Sequence, residues 1–228
     1  MNSFRFHLLP FTYGAIRRIR NVTLAWLLLF LPLAGMARAE TVTLLALGDS
    51  LTAGYGLAEG EGLVPQLQDW LRTNGTDVTV VNAGVSGDTT AGGLSRLDWS
   101  LTPDVDAVMV LLGGNDLLRG LPVAEVRSNL DAILTGIAAK GLPVLLIPMQ
   151  ASMNFGPEYK AQFDAVYPEL AAKHGALLAD PYFATLGTDL SALGDLMQAD
   201  GIHPSKAGVA KIVPVLGPKV QDLLAAVK

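Results

Sequence analysis

The 228-residue sequence predicts a doubly wound α/β domain built on a parallel sheet. The prediction rests on short apolar runs that are continuous rather than alternating, on helix-period segments between them, and on glycine or proline stops at most run ends. A strand covered on both faces must send apolar side chains both ways, so it reads as an unbroken apolar run.

Thr41 to Leu47 (TVTLLAL), closed by Gly48, is the first predicted strand. A helix follows over Leu63 to Thr73 and stops at Asn74-Gly75. Asp77 to Val81 is the second strand, ended by Asn82-Ala83-Gly84, and Ala107 to Leu112 the third, ended by Gly113-Gly114. Val123 to Ala139 places Val126, Leu130, Ile133, Leu134 and Ile137 on one helical face and ends at Lys140-Gly141. Pro143 to Ile147 is the fourth strand. Tyr159 to His174 is a helix stopped by Gly175, and Ala176 to Leu178 is a short fifth strand before Asp180-Pro181. The last helix runs from Lys206 to Val220 or beyond, with Pro214 and Pro218 expected to kink or split it. Such alternation places helices on both faces of the sheet.

Composition removes several classes of function. With 50% hydrophobic and 16% charged residues the chain is not disordered. The absence of cysteine excludes disulfides, cysteine nucleophiles, thiolate metal sites and iron–sulfur clusters. His7, His174 and His203 are far apart and lack metal-ligand spacing, so neither metal nor other cofactor is expected. A formal charge of −5 argues against a nucleic-acid partner.

Residues 1–39 carry five arginines and no acid, an apolar run from Val22 to Met36, and Ala37-Arg38-Ala39 before Glu40. This is the pattern of a secretory signal peptide cleaved after Ala39. The apolar run, interrupted by Pro32, is shorter than the ~20 residues a membrane span needs. The remaining domain, 40–228, holds 21 acids against 11 bases, a charge of −10. It is expected to be periplasmic or secreted, without a stable membrane anchor, and monomeric.

In a doubly wound sheet, ligands bind beyond the carboxyl ends of the strands. Gly48-Asp49-Ser50-Leu51-Thr52-Ala53-Gly54-Tyr55-Gly56 follows the first run there, and Asn82-Ala83-Gly84-Val85-Ser86-Gly87-Asp88-Thr89-Thr90 follows the second. Gly113-Gly114-Asn115-Asp116 follows the third, and Asp200-Gly201-Ile202-His203-Pro204 precedes the last helix. A serine hydroxyl needs a base to take its proton as it attacks. His203 is the candidate base, since imidazole both accepts and returns protons near neutral pH. Asp200 is placed to accept from the other ring nitrogen. The backbone N–H groups of Ser50 and Gly84 and the Asn115 amide are candidate donors to a tetrahedral oxyanion. Plainer roles compete: Asp49-Ser50 has the form of a helix N-cap, Asn115-Asp116 of a turn, and Gly84 of a chain reversal. His174 is read as a cation at a helix C-terminus, and Asp88 as fixing its own loop.

The four blocks, in this order, resemble the SGNH (GDSL-type) hydrolase family. The segments GDSLTAGYGL, NAGVSGDTT, LGGNDLLRG, MQASMNFGPEY and DGIHP resemble its bacterial periplasmic arylesterase and thioesterase-I/lysophospholipase branch. The resemblance runs from Leu47 to the last helix. It implies a flavodoxin-like three-layer α/β/α sandwich with a five-stranded parallel sheet and Ser50 as nucleophile. It also implies Gly84 and Asn115 in the oxyanion hole, and a His203–Asp200 pair. The expected substrate is a small acyl ester: an aryl ester, a short to medium acyl ester, an acyl thioester or a lysophospholipid. Leu117 to Pro122 and Met149 to Pro157 are expected to wall the acyl groove, with Leu117, Leu118, Arg119, Met153 and Phe155 as substrate contacts. The alternative is a catalytically silent envelope module binding a lipid or carbohydrate. Such a module has no physical need of Ser50, His203, Asp200 and Asn115 together.

Overall fold

The computed structural model describes residues 41–187 and 193–227; the leader expected over 1–39 lies outside the described residues. Five strands form one parallel sheet: β1 (Val42–Gly48), β2 (Val78–Gly84), β3 (Ala107–Leu111), β4 (Val144–Leu146) and β5 (Leu177–Leu178). Their spatial order is β2-β1-β3-β4-β5, so the chain order reverses between β1 and β3. In an open sheet, that switch point leaves a crevice at the carboxyl ends.

Each apolar run forms a strand, but β2 continues three residues beyond Val81. Asn82, Ala83 and Gly84 read as a stop in the sequence, yet they pair with Ala46, Leu47 and Gly48 of β1. Ladder pairing with a neighbour outweighs their weak strand propensity. As an edge strand, β2 buries Val78 and Val80 while Thr79 and Val81 face solvent. The central strands are covered on both sides, and Leu44 to Leu47, Ala107 to Leu111 and Leu145 to Ile147 form the core.

The helices are α1 (Ser50–Ala53), α2 (Leu63–Thr73), α3 (Thr90–Ser95), α4 (Leu97–Ser100), α5 (Gly114–Leu118), α6 (Val123–Ala139), α7 (Pro157–His174) and α8 (Lys206–Leu224). α2 packs on α8, and α6 packs on α7 and α3. Glycines permit two of the close approaches. A Cβ on Gly217 of α8 would lie 2.3 Å from the Trp70 ring of α2, and one on Gly136 of α6 would lie 2.7 Å from Leu97. Of the short helices, α1 showed in the sequence only as a candidate N-cap at Asp49-Ser50, and α3, α4 and α5 escaped because four to six residues are too few to display a period.

The expected break in α8 does not occur: the helix runs through Pro214 and Pro218 to Leu224. A proline frees the carbonyl four residues earlier. Here Pro214, Pro218 and Ala210 are all exposed, so the freed carbonyls at 210 and 214 lie on the solvated side. Val209, Ile212, Val213, Leu216 and Val220 hold the opposite face against the core. Among the described residues, no helix is long and apolar enough to cross a membrane.

Candidate active site

β1 ends at Gly48, and the next residue, Asp49, turns the chain into α1. Asp49 is the N-cap of that helix, its Oδ1 accepting from Leu51 N at 3.0 Å. The capping role weighed for Asp49 is therefore real. It also serves the site, because it presents Ser50 as the first helical residue at the carboxyl edge of the sheet. Ser50 N–H, in the first turn, has no intrahelical carbonyl to bind. Asp49 is 2% exposed. Burial pushes its carboxyl up to about 6, against the opposing effects of Leu51 N–H and the Asn115 amide.

The other half of the site comes from the loop before α8. His203 Nε2 lies 2.8 Å from Ser50 Oγ, and His203 Nδ1 lies 2.7 Å from Asp200 Oδ2. The second oxygen, Asp200 Oδ1, accepts from Ile202 N at 2.9 Å and His203 N at 3.0 Å. The hydrogen bond from the His203 ring, followed by these two amides, holds the Asp200 carboxyl down at about 2. With Asp200 ionised, Nδ1 keeps its proton and Nε2 is left to accept from the Ser50 hydroxyl. This chain of contacts can generate a nucleophilic alkoxide at the moment of attack.

Gly84 and Asn115 also reach this end of the sheet. A Cβ on Gly84 would lie 2.3 Å from Ala53 N and 2.8 Å from Asp49 O, so glycine is required where β2 meets α1. Gly84 N–H donates to Asn82 Oδ1 at 2.9 Å. Asn115 Nδ2 donates to Asp88 O at 2.9 Å and, more loosely, to Asp49 Oδ2 at 3.3 Å.

A cavity of about 530 Å³ opens over Ser50 and His203, bordered by Tyr55, Leu117, Leu118, Met149 and Phe183. Leu117 and Leu118 thus stand where the sequence placed them. Arg119 does not line this cavity; its Nη2 donates to Gly87 O at 2.7 Å, which draws the side chain onto the 85–89 loop. Met153 lines an adjoining cavity of about 470 Å³ that shares Gln150, Phe183, Gly201 and Ile202 with the first. Phe155 lines neither, its ring stacking on Tyr159 with centroids 5.3 Å apart. His174 bonds Asp131 at 2.6 Å, remote in sequence from the site blocks. Among the described residues, no three His, Asp or Glu side chains gather as a metal site.

Two polar residues that hold the site together had no signal in the sequence. Gln198 Nε2 donates to Tyr55 O at 2.8 Å and to Pro204 O at 3.0 Å, and Gln198 N donates to His203 O at 2.8 Å. It clamps the segment after Ser50 to the loop bearing His203, where the Tyr55 ring lies 4.8 Å from the imidazole. Arg96 is the second, buried between the ends of β1 and β2. Each is a lone polar residue outside the motif blocks; a signal exists only in three dimensions.

A parallel sheet in flavodoxin-like order, with a serine–histidine–carboxylate chain of hydrogen bonds at the carboxyl ends of its strands, is the arrangement expected of a serine-type hydrolase. The hydroxyl, imidazole and carboxylate are contiguous through direct hydrogen bonds. The chain belongs to the GDSL-like Lipase/Acylhydrolase family, whose model matches residues 46–211. It is 40% identical over 188 residues to Esterase TesA of Pseudomonas aeruginosa, covering 82% of this chain and 92% of the relative. It is 35% identical over 197 residues to Thioesterase 1/protease 1/lysophospholipase L1 of Escherichia coli K12, covering 86% and 91%. Among solved structures, it is similar to AlinE4, an SGNH-hydrolase family esterase, at 42% identity and a TM-score of 0.67, with 81% of this chain and 97% of that one covered. The chain is accordingly a carboxylic ester hydrolase of this family.

Proposed function

We propose that Ser50 is the nucleophile of a Ser50–His203–Asp200 triad that hydrolyses small acyl esters. Ser50 Oγ attacks the ester carbonyl while His203 Nε2 takes the hydroxyl proton. The imidazolium then gives that proton to the departing alcohol or thiol, leaving an acyl-enzyme. Water repeats the sequence, giving its proton to His203 and its oxygen to the acyl carbon, and Ser50 regains the proton as the acid leaves. Asp200 keeps the ring in the productive tautomer. Ser50 N–H, Gly84 N–H and Asn115 Nδ2 receive the oxyanion, for which Asn82 and Asp49 must yield the amide protons they now accept.

The observation that carries this reading is the unbroken hydrogen-bonded chain from Ser50 Oγ to Asp200, opening on the apolar-walled cavity. The apolar border favours aryl esters and short to medium acyl chains over sugar esters. Acyl thioesters and lysophospholipids present the same carbonyl to the same groups. The leader pattern over 1–39 supports export and action as a periplasmic or secreted protein after cleavage near Ala39.

The test is hydrolysis of p-nitrophenyl acetate, butyrate and octanoate by protein expressed from the full chain, beside Ser50→Ala. Ser50→Ala is expected to lower kcat by about 10³-fold or more with the unfolding midpoint nearly unchanged. Equal rates on acetate and octanoate would remove the acyl-groove reading. No activity in folded wild-type protein on any of the three would remove the triad assignment and favour a silent binding module.

A further inference from the structure

Arg96 ends α3 and is 6% exposed. A guanidinium remains charged at every pH the protein meets, and a buried charge is tolerated when its donors find acceptors. Arg96 Nε donates to Asp88 Oδ2 at 2.7 Å, Nη1 to Ala83 O at 2.8 Å and Nη2 to Gly48 O at 2.8 Å. Each acceptor adjoins a different donor of the proposed oxyanion hole. Gly48 lies two residues before Ser50, Ala83 immediately precedes Gly84, and the carbonyl of Asp88 binds Asn115 Nδ2 at 2.9 Å.

We propose that Arg96 is the positioning residue that sets the mutual spacing of the three oxyanion donors; the proposal rests on the serine-esterase reading above. Oxyanion donors stabilise developing charge to the extent that they are fixed before it develops. The β1–β2 ladder ends at the Gly48–Gly84 pair, and one further backbone bond, Val85 N to Gly48 O at 3.0 Å, joins the strand ends; neither reaches Asn115. Arg96 bridges the two strand ends and, through Asp88, the amide of Asn115 on α5. The surroundings are shaped for this contact. A Cβ on Gly92 would lie 2.6 Å from Asp88 Oδ1, so the α3 backbone closes on the carboxylate only because that position is glycine. The start of α3 is anchored separately, Thr90 N and Oγ1 donating to Asp116 at 2.8 and 2.6 Å, next to Asn115. An apolar side chain could fill the same volume but would deprive all three acceptors of these donors.

The experiment measures p-nitrophenyl butyrate hydrolysis and thermal unfolding for the full chain and for Arg96→Met, Arg96→Lys, Asp88→Asn and Asn115→Ala, with Ser50→Ala alongside. Arg96→Met is expected to lower kcat by about 10²-fold with KM changed by less than about threefold. Arg96→Lys restores part of the loss, because an ammonium can replace some of the bonds but not the planar fork. Asp88→Asn keeps the carbonyl that Asn115 uses, loses the ion pair, and lowers kcat by about tenfold. Combining either change with Asn115→Ala costs less than the product of the separate losses, since part of each loss is carried by the Asn115 donor. A kcat for Arg96→Met within about threefold of wild type, losses that multiply fully with Asn115→Ala, or a loss confined to KM would each overturn the proposal. Should Arg96→Met fail to fold, Asp88→Asn and its double variant decide the question by the same criteria. The Ser50→Ala control reads the underlying assignment separately: activity independent of Ser50 overturns that reading, and this one with it.

Discussion

Asp49 shows how one buried side chain can serve the site at a cost to the fold. It caps α1 and accepts from Asn115, but its carboxyl is raised to about 6 by burial. The folded chain therefore binds the Asp49 proton more tightly than the unfolded chain does. The stability this contributes is full below about pH 4 and is lost as the pH rises through about 6. At about 1.4 kcal/mol per unit of pKa, the loss has an upper bound of about 3 kcal/mol. Asn at this position has no such titration. Urea unfolding at pH 4, 5, 6 and 7 should show Asp49→Asn gaining on wild type across that interval, whatever the fixed offset between them. Parallel stability curves would contradict the burial argument. Ser50, Asp200, His203 and Asn115 were legible in the sequence because each lies in a short motif whose neighbours turn the chain or cap a helix. Arg96 and Gln198 were not, because their partners lie at strand ends and loops up to 143 residues away.

At the scale of elements, the five apolar runs gave the strands because a doubly covered strand is hydrophobic in both directions. The end of β2 was misread because Asn82, Ala83 and Gly84 have turn chemistry, and their pairing with β1 is a property of two segments together. The prolines of α8 were misread for a related reason. Their cost depends on which way the freed carbonyls face, and the sequence alone does not orient the helix. Pro214 still costs the helix a hydrogen bond. Pro214→Ala should restore it and raise stability by about 1–2 kcal/mol, after allowing for the greater freedom of the unfolded chain. The check is the denaturant midpoint, and a lower midpoint would mean that the ring packs better than its exposure indicates. Gly84 and Gly217 show the opposite requirement, where adding one carbon would force α1 from β2 or α2 from α8.

For the molecule as a whole, cohesion rests on non-covalent packing and buried polar contacts, since the chain contains no cysteine to staple it. Leu130 of α6 is fully buried and lies outside the motif blocks. Leu130→Ala should cost about 2–5 kcal/mol in unfolding free energy while leaving kcat near wild type at a temperature where the variant is folded. A change in kcat there would reveal coupling between the helical layer and the strand ends. The fold class was readable because core and topology write themselves into hydrophobic pattern. The cavity wall was readable only in part: Leu117 and Leu118 border it, while Arg119 is drawn to Gly87 and Phe155 to Tyr159.

Ser50 and His203 are separated by 153 positions, and the histidine lies in the loop before the terminal helix. A segment of the chain that holds one of them holds half of a hydrogen-bonded pair. If the proposed triad is correct, reactivity belongs to the sheet edge and the loop before α8 together, and to neither segment alone. Any opening that lifts that loop from the sheet should then silence the serine without touching it.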